Sequence, residues 1–274
     1  MRKRIILALA ATMFAACGNA TVVNNEPDEP KTDTTSTPTD TTSTPDKPIV
    51  PDIGPFAARE LQTTQGLLPY RIATFNPDGL ETKPALILYL HSANGRGNDN
   101  TMQLKQQKGV DSIVNYITAQ RLHVLMLVPQ CPSNRYWPGN REYAEYIQPV
   151  KDLLSLYADS TDAKRVFIMG ASMGGAGTWR LLGEMPNTFA AALIASGSYR
   201  RANTSNIAKT PVWCTIGGAE EAERQQALQT FVEQIRQAGG EVRYDTIPGL
   251  NHPQTCEQSF TAERIGWVMG HSKQ

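Results

Sequence analysis

The stretch "RVFIMGASMGGAGTWRLL" (Arg165 to Leu182) decides the fold. It opens on a short apolar run and closes on a helical pattern. Between them one serine stands among four glycines and two alanines. An apolar run of this length, stopped by glycine, reads as a strand buried on both faces. Gly170-Ala171-Ser172-Met173-Gly174 then forms a G-x-S-x-G pattern that enters a helix. At a sharp strand-to-helix turn bulky neighbours would clash, whereas flanking glycines let the backbone turn and leave the serine hydroxyl exposed. Ser172 is therefore a candidate nucleophile, and a tight corner that happens to hold a serine is the competing reading.

Outward from this stretch, apolar runs alternate with helical patterns. Strands are expected at "ALILYL" (Ala85 to Leu90), "HVLMLVPQ" (His123 to Gln130), "AALIASG" (Ala191 to Gly197), "PVWCTIGG" (Pro211 to Gly218) and "VRYDTIPG" (Val242 to Gly249). Helices are expected at about Asp111 to Gln120, Tyr143 to Tyr157, Thr178 to Met185, Glu221 to Ala238 and Glu257 to Met269. Strand and helix in alternation imply an α/β fold, a doubly wound and mostly parallel sheet with helices on both faces. "LLPYRIATFNPDG" (Leu67 to Gly79) alternates in polarity and is expected to pair antiparallel at one edge.

Ligands of such sheets bind at the carboxyl ends of the strands, so the residues after each strand carry the candidate chemistry. A serine nucleophile needs a base. His252, in "IPGLNHPQ", lies in the loop expected after the last strand, whereas His123 opens a strand and His271 lies in the tail. The acid that orients the imidazole is expected after "PVWCTIGG", where the chain offers Glu220, Glu221 and Glu223 but no aspartate. Glu220 is favoured, Glu221 is the alternative acid, and Glu223 is assigned to the helix surface. An oxyanion hole needs backbone N–H groups, one from Met173 and a second from Ser92 or Ala93 in "LHSANGRGNDN" (Leu90 to Asn100). That loop lacks the Gly-Lys-Ser/Thr ending of a phosphate-binding loop. No spacing of His, Cys or carboxylates suggests a metal, and no cofactor is implied.

Composition narrows the partners. The chain has 274 residues, with 26 Lys and Arg against 26 Asp and Glu, so it offers no basic footprint for nucleic acid. "MRKRIILALAATMFAAC" has a basic start and an apolar core too short to span a bilayer, the pattern of a signal peptide. Phe14-Ala15-Ala16-Cys17 resembles a bacterial lipoprotein box, which implies lipidation at Cys17 and an envelope-anchored or secreted protein whose only membrane contact is the lipid. Residues 18–55 are rich in Thr, Pro, Asp and Ser, with a repeated "TDTTSTP", and read as a disordered stalk. The folded body is then residues 56–274. With Cys17 lipidated, Cys131, Cys214 and Cys256 allow at most one disulfide.

The blocks "LYLHSANGRGNDNTMQLKQ", "VPQCPSNRYW", "FIMGASMGGAGTWRLLGEMPNTFAAALIASG", "TPVWCTIGG" and "GGEVRYDTIPGLNH" resemble, in order and spacing, one α/β-hydrolase group. That group includes predicted secreted peptidases, polyhydroxybutyrate depolymerase-like proteins and feruloyl or acetyl-xylan esterases. The resemblance implies a Ser172, His252, Glu220 triad acting on esters through an acyl-enzyme, with a polysaccharide-linked acyl group as the first substrate expectation. It also implies that Gln130 and Trp137, in "QCP…W", border the site as candidate substrate contacts. His91, closing "LYLH", joins them, although it is expected chiefly to shape its loop. The chain departs from the group at Ile216 to Glu220, where His-Gly-Ala-x-Asp is common, and at His91-Ser92, where His-Gly is usual. A peptidase with the same triad and a binding lipoprotein without catalysis are the alternatives.

Overall fold

The computed structural model describes residues 50–77, 82–105, 108–198 and 202–274. Cys17, the signal-like segment and the stalk up to residue 49 lie outside the described residues. In chain order the strands are β1 (Ala57–Thr63), β2 (Gly66–Phe75), β3 (Ala85–Leu90), β4 (Val124–Pro129), β5 (Arg135–Tyr136), β6 (Ala144–Glu145), β7 (Val166–Ala171), β8 (Ala191–Ala195), β9 (Val212–Gly217) and β10 (Val242–Ile247). The helices are α1 (Met102–Lys105), α2 (Lys108–Ala119), α3 (Gln148–Tyr157), α4 (Met173–Glu184), α5 (Thr204–Ile207), α6 (Ala222–Gln237), α7 (His252–Gln258) and α8 (Ala262–Met269).

Eight strands form one sheet in the order β1-β2-β4-β3-β7-β8-β9-β10. β2 runs antiparallel to β1 and to β4, and every other pairing in this sheet is parallel. The apolar runs explain why both faces are covered, because successive side chains of a strand point to opposite sides. In β3, Leu86, Leu88 and Leu90 join one core with residues of α3, α4 and α6. Ala85, Ile87 and Tyr89 join the other, with Val110, Ile113 and Ile117 of α2 and Ile265 and Val268 of α8. The expected mostly parallel, two-faced α/β sheet is the one observed.

Several boundaries differ from the sequence expectation. The expected edge strand is β2, but β1 pairs along its outer side and takes the edge. β1, "AARELQT", is half-exposed and carries Arg59 and Glu60, so it has no buried-strand signature. Packing also reaches behind residue 56. The fully buried Arg71 of β2 donates to the carbonyls of Pro51, Phe56 and Asn100. The helix expected from Tyr143 begins at Gln148, where Pro149 supplies the fixed φ of a first turn, and Ala144–Glu145 pairs instead with Arg135–Tyr136. The helix expected over Glu257 to Met269 is broken. Phe260 turns into the core and the Thr261 hydroxyl caps α8 by accepting from the Arg264 N–H.

Candidate active site

The elbow at Ser172 follows from its glycines. A Cβ on Gly174 would stand 1.8 Å from the Leu90 carbonyl oxygen, and one on Gly170 would stand 2.5 Å from the Gly174 oxygen. Only glycine lets α4 start this close to β3. Ser172 itself takes φ 53° and ψ −113°, a strained conformation for a residue with a Cβ. It is locked there by its N–H, which donates to Ala195 at 2.8 Å, and by its carbonyl, which accepts from Ala176 at 2.9 Å.

Three elements bring partners to the serine. His252 was expected in a loop; it opens α7, directly after an Asn251 capping box. Its Nε2 lies 2.8 Å from the Ser172 Oγ and its Nδ1 lies 2.9 Å from Glu220 Oε2. Glu220, just past β9, has a side chain 2% exposed. Its carboxylate accepts from the Gly217 N–H at 3.0 Å, and Arg224 Nη2 stands 3.4 Å away. Burial would raise the Glu220 pKa. Hydrogen bonds from His252, Ser196 and Gly217, with the charge of His252, outweigh burial and hold it at about 2. An ionised Glu220 can only accept, so Nδ1 of His252 carries the hydrogen and Nε2 presents its lone pair to the Ser172 hydroxyl.

Sequence reasoning missed Ser196. It directly follows β8 at φ 49°, fully buried, with its Oγ 2.6 and 2.7 Å from the two Glu220 oxygens and 2.7 Å from His252 Nδ1. One hydroxyl proton goes to the carboxylate, and the oxygen shares the Nδ1–H. Glu221, the alternative acid, is displaced by this geometry: it is the exposed N-cap residue of α6. Cys256, one turn beyond His252, places its sulfur 3.9 Å from Nε2. Burial pushes its thiol up to about 12, so it is a neutral neighbour.

Met173 is the first residue of α4, and the N–H of a first helical residue has no intrahelical acceptor. The β3 loop lies against it, since the Leu90 and His91 carbonyls crowd the Gly174 Cα. Ser92 caps a 3-10 turn over Ala93–Gly95, and both Ser92 and Ala93 stay partly exposed beside the elbow.

A model of the prolyl oligopeptidase family matches residues 133–236, which include Ser172 and Glu220 but not His252. No curated protein matches the chain by sequence. Among solved structures, a thermostable esterase superposes with a TM-score of 0.72 at 24% identity, over 82% of this chain and 64% of that one. The chain thus spans less than two thirds of that esterase's length. A ferulic acid esterase gives 0.60 at 13% identity, covering 78% and 97% of the two chains. A feruloyl esterase module from Clostridium thermocellum, complexed with sinapinate, gives 0.58 at 15%, covering 80% and 89%. The chain has the α/β-hydrolase fold. It is the fold shared by these esterases.

Within this fold, three expected substrate contacts take scaffold positions. His91, Gln130 and Trp137 are each fully buried, with no surface left for a ligand. The His91 Nε2 accepts from the Cys131 N–H at 3.0 Å, so its Nδ1 carries the hydrogen and donates to the Ser92 carbonyl at 2.6 Å. Burial, aided by the Arg96 charge and opposed by the Ser92 bond, depresses its pKa to about 4. Trp137 Nε1 donates to the His91 carbonyl at 3.2 Å. Gln130 accepts from the Asn100 N–H at 2.6 Å and donates to Asp99 at 2.7 Å. These bonds fix both ends of the loop that carries Ser92 and Ala93. Cys131, Cys214 and Cys256 are all free thiols. Among the described residues no cluster of His, Cys, Asp and Glu is placed to hold a metal, and no helix is long and apolar enough to cross a membrane.

Proposed function

We propose that this chain is a carboxylic-ester hydrolase with Ser172 as nucleophile, His252 as general base and Glu220 as the orienting acid. The observation that carries it is the continuous hydrogen-bonded relay from the Ser172 Oγ through the imidazole to an ionised carboxylate. As Oγ attacks the ester carbonyl carbon, its proton passes to Nε2, and the new imidazolium is held by Glu220 and Ser196. The carbonyl oxygen becomes an oxyanion, taken by the N–H of Met173 and that of Ser92 or Ala93, each donor being worth roughly 10²–10³ in rate. Collapse expels the alkoxide, which takes the proton from Nε2 and leaves an acyl-enzyme. Water then repeats both transfers with Nε2 as base and releases the acid.

For the substrate we favour an acyl group on an extracellular polysaccharide. The esterase neighbours and the Cys17 lipoprotein-like leader with its stalk support that reading. The prolyl oligopeptidase match favours peptide amides as the second reading. The intact relay argues against a binding lipoprotein without catalysis.

The test is a panel of aryl esters, acetylated xylan, feruloyl esters and peptide amides, run on wild type, Ser172→Ala, Glu220→Gln and Glu221→Gln. Ester turnover and fluorophosphonate labelling should vanish in Ser172→Ala. Glu220→Gln should lower kcat by roughly 10³–10⁴ while Glu221→Gln leaves it within about twofold. Full activity in Ser172→Ala would overturn the assignment, and faster turnover of amides than esters would select the peptidase.

A further inference from the structure

Arg96 sits directly after the Ala93–Gly95 turn and holds a cation that no acid answers among the described residues. Its Nε donates to the Ala93 carbonyl at 3.3 Å, and its Nη1 donates to the carbonyls of Ser133 at 3.2 Å and Arg135 at 3.3 Å. Its Cζ lies 4.7 Å from the centre of the Tyr143 ring. Three carbonyls and one ring face thus fix the guanidinium plane, yet none of them carries a charge. Among the described residues no carboxylate pairs with Arg96 or with Arg135. The loop's own acid, Asp99, is committed to Gln130 and to the N–H groups of Thr101 and Met102. The Nη2 hydrogens of Arg96 have no acceptor among the described residues, and the side chain is only partly buried.

A guanidinium with a fixed plane and two open N–H groups is a pre-organised receptor for a carboxylate, because little side-chain entropy remains to be lost on binding. Its position decides what it receives. Nε holds the carbonyl of Ala93, a candidate oxyanion donor, which ties the guanidinium to the loop beside the Ser172 elbow. Arg96 also makes a positive contribution at the His91 imidazole at the base of that loop. A solvated rim arginine with only a stapling task would not need its charge.

We propose that Arg96 forms a subsite for an ionised carboxylate carried by the ester substrate at a distance from the scissile bond. This rests on the esterase reading above and narrows it to acid-bearing esters. The same chemistry would serve a carboxylate on the acyl side or on the alcohol side.

The test compares matched esters that differ only in that charge. One pair is mono-4-nitrophenyl glutarate against 4-nitrophenyl methyl glutarate; the other is 4-carboxyphenyl acetate against its methyl ester. Wild type should prefer the charged member of one pair, and added salt should weaken the preference. Arg96→Gln should lower kcat/KM for that charged ester about tenfold more than for its neutral partner; Arg96→Lys should fall between, keeping the charge but not the fork. Equal losses on charged and neutral esters, or no preference in wild type, would reduce Arg96 to a loop staple. A second readout does not need turnover: saturation-transfer NMR of 4-carboxyphenyl acetate on Ser172→Ala, against the Ser172→Ala, Arg96→Gln double variant. A transfer signal that disappears in the double variant supports the subsite, and an unchanged signal overturns it. Should wild type cleave no ester at all, the esterase reading fails while the NMR result still decides the subsite.

Discussion

Ser172 and Ser196 directly follow neighbouring strands, and both hold positive φ, at 53° and 49°. Each such conformation costs on the order of 1 kcal/mol or more, so the surroundings must over-determine it. At Ser172 the strain lifts the hydroxyl toward His252. At Ser196 it turns the hydroxyl down between His252 and Glu220, where it donates to the carboxylate. Replacing Ser196 by Ala removes one of the bonds that keep Glu220 ionised and leaves Nδ1–H a single acceptor. The Glu220 carboxyl, followed by carbon-13 NMR titration, should then move upward from about 2, and kcat should fall about tenfold with KM nearly unchanged. A titration that stays in place would make Ser196 mere packing. Ser172, Glu220 and His252 could be named from the sequence because each follows a strand-like run. Ser196 also follows one, but its partners stand 24 and 56 residues away. Nothing local marks it, and only the parallel pairing of β8 with β7 and β9 brings it there.

α7 places His252, and it is a helix of seven residues whose start depends on a reciprocal capping pair. The Asn251 Oδ1 accepts from the Gln254 N–H at 3.1 Å while Gln254 Oε1 accepts from the Asn251 N–H at 3.0 Å. His252 is the next residue, so a frayed cap displaces the imidazole from Ser172. Asn251→Ala should cost about 1 kcal/mol. For a domain of this size the Tm should drop by about 2–4 °C, and kcat should fall by more than that loss of stability explains at 25 °C. Melting curves and kinetics on the same preparation check it: a lower Tm with an unchanged kcat would show that the cap stabilises α7 without positioning His252. The capping residues lie in plain view in "LNHPQ", yet the sequence pattern reads as a loop because Pro253 and the polar run hide a short helix. Elsewhere legibility follows burial. β3, β4, β7, β8 and β9 stand out as apolar on both faces, β1 and β10 do not, and the break before α8 is invisible because Phe260 continues the apolar pattern while turning inward.

Across the whole molecule, two buried ionisable groups tie stability to the same site. His91 sits under the Ser92–Ala93 loop and Glu220 beside His252, on opposite sides of the elbow, and both resist protonation in the fold. The unfolded chain binds a proton at His91 near pH 6.5, while the folded chain does so only near 4. Between those values the unfolded state holds more protons, so stability rises with pH there and falls on acidification. The full difference amounts to about 3 kcal/mol. Glu220 has its folded pKa lowered from 4.5 to about 2, so its contribution is present above 4.5 and is lost as the pH falls through that second window. Unfolding free energies from urea titrations should therefore decline in two overlapping stages, from pH 6.5 to 4 and from 4.5 toward 2. His91→Asn can keep a donor toward the Ser92 carbonyl but has nothing to titrate. Whatever it costs at pH 8, it should flatten the first stage and leave the second in place. A first stage that survives in His91→Asn would assign the acid sensitivity to another group, and the neutral imidazole would no longer be what holds the Ser92 loop against the elbow.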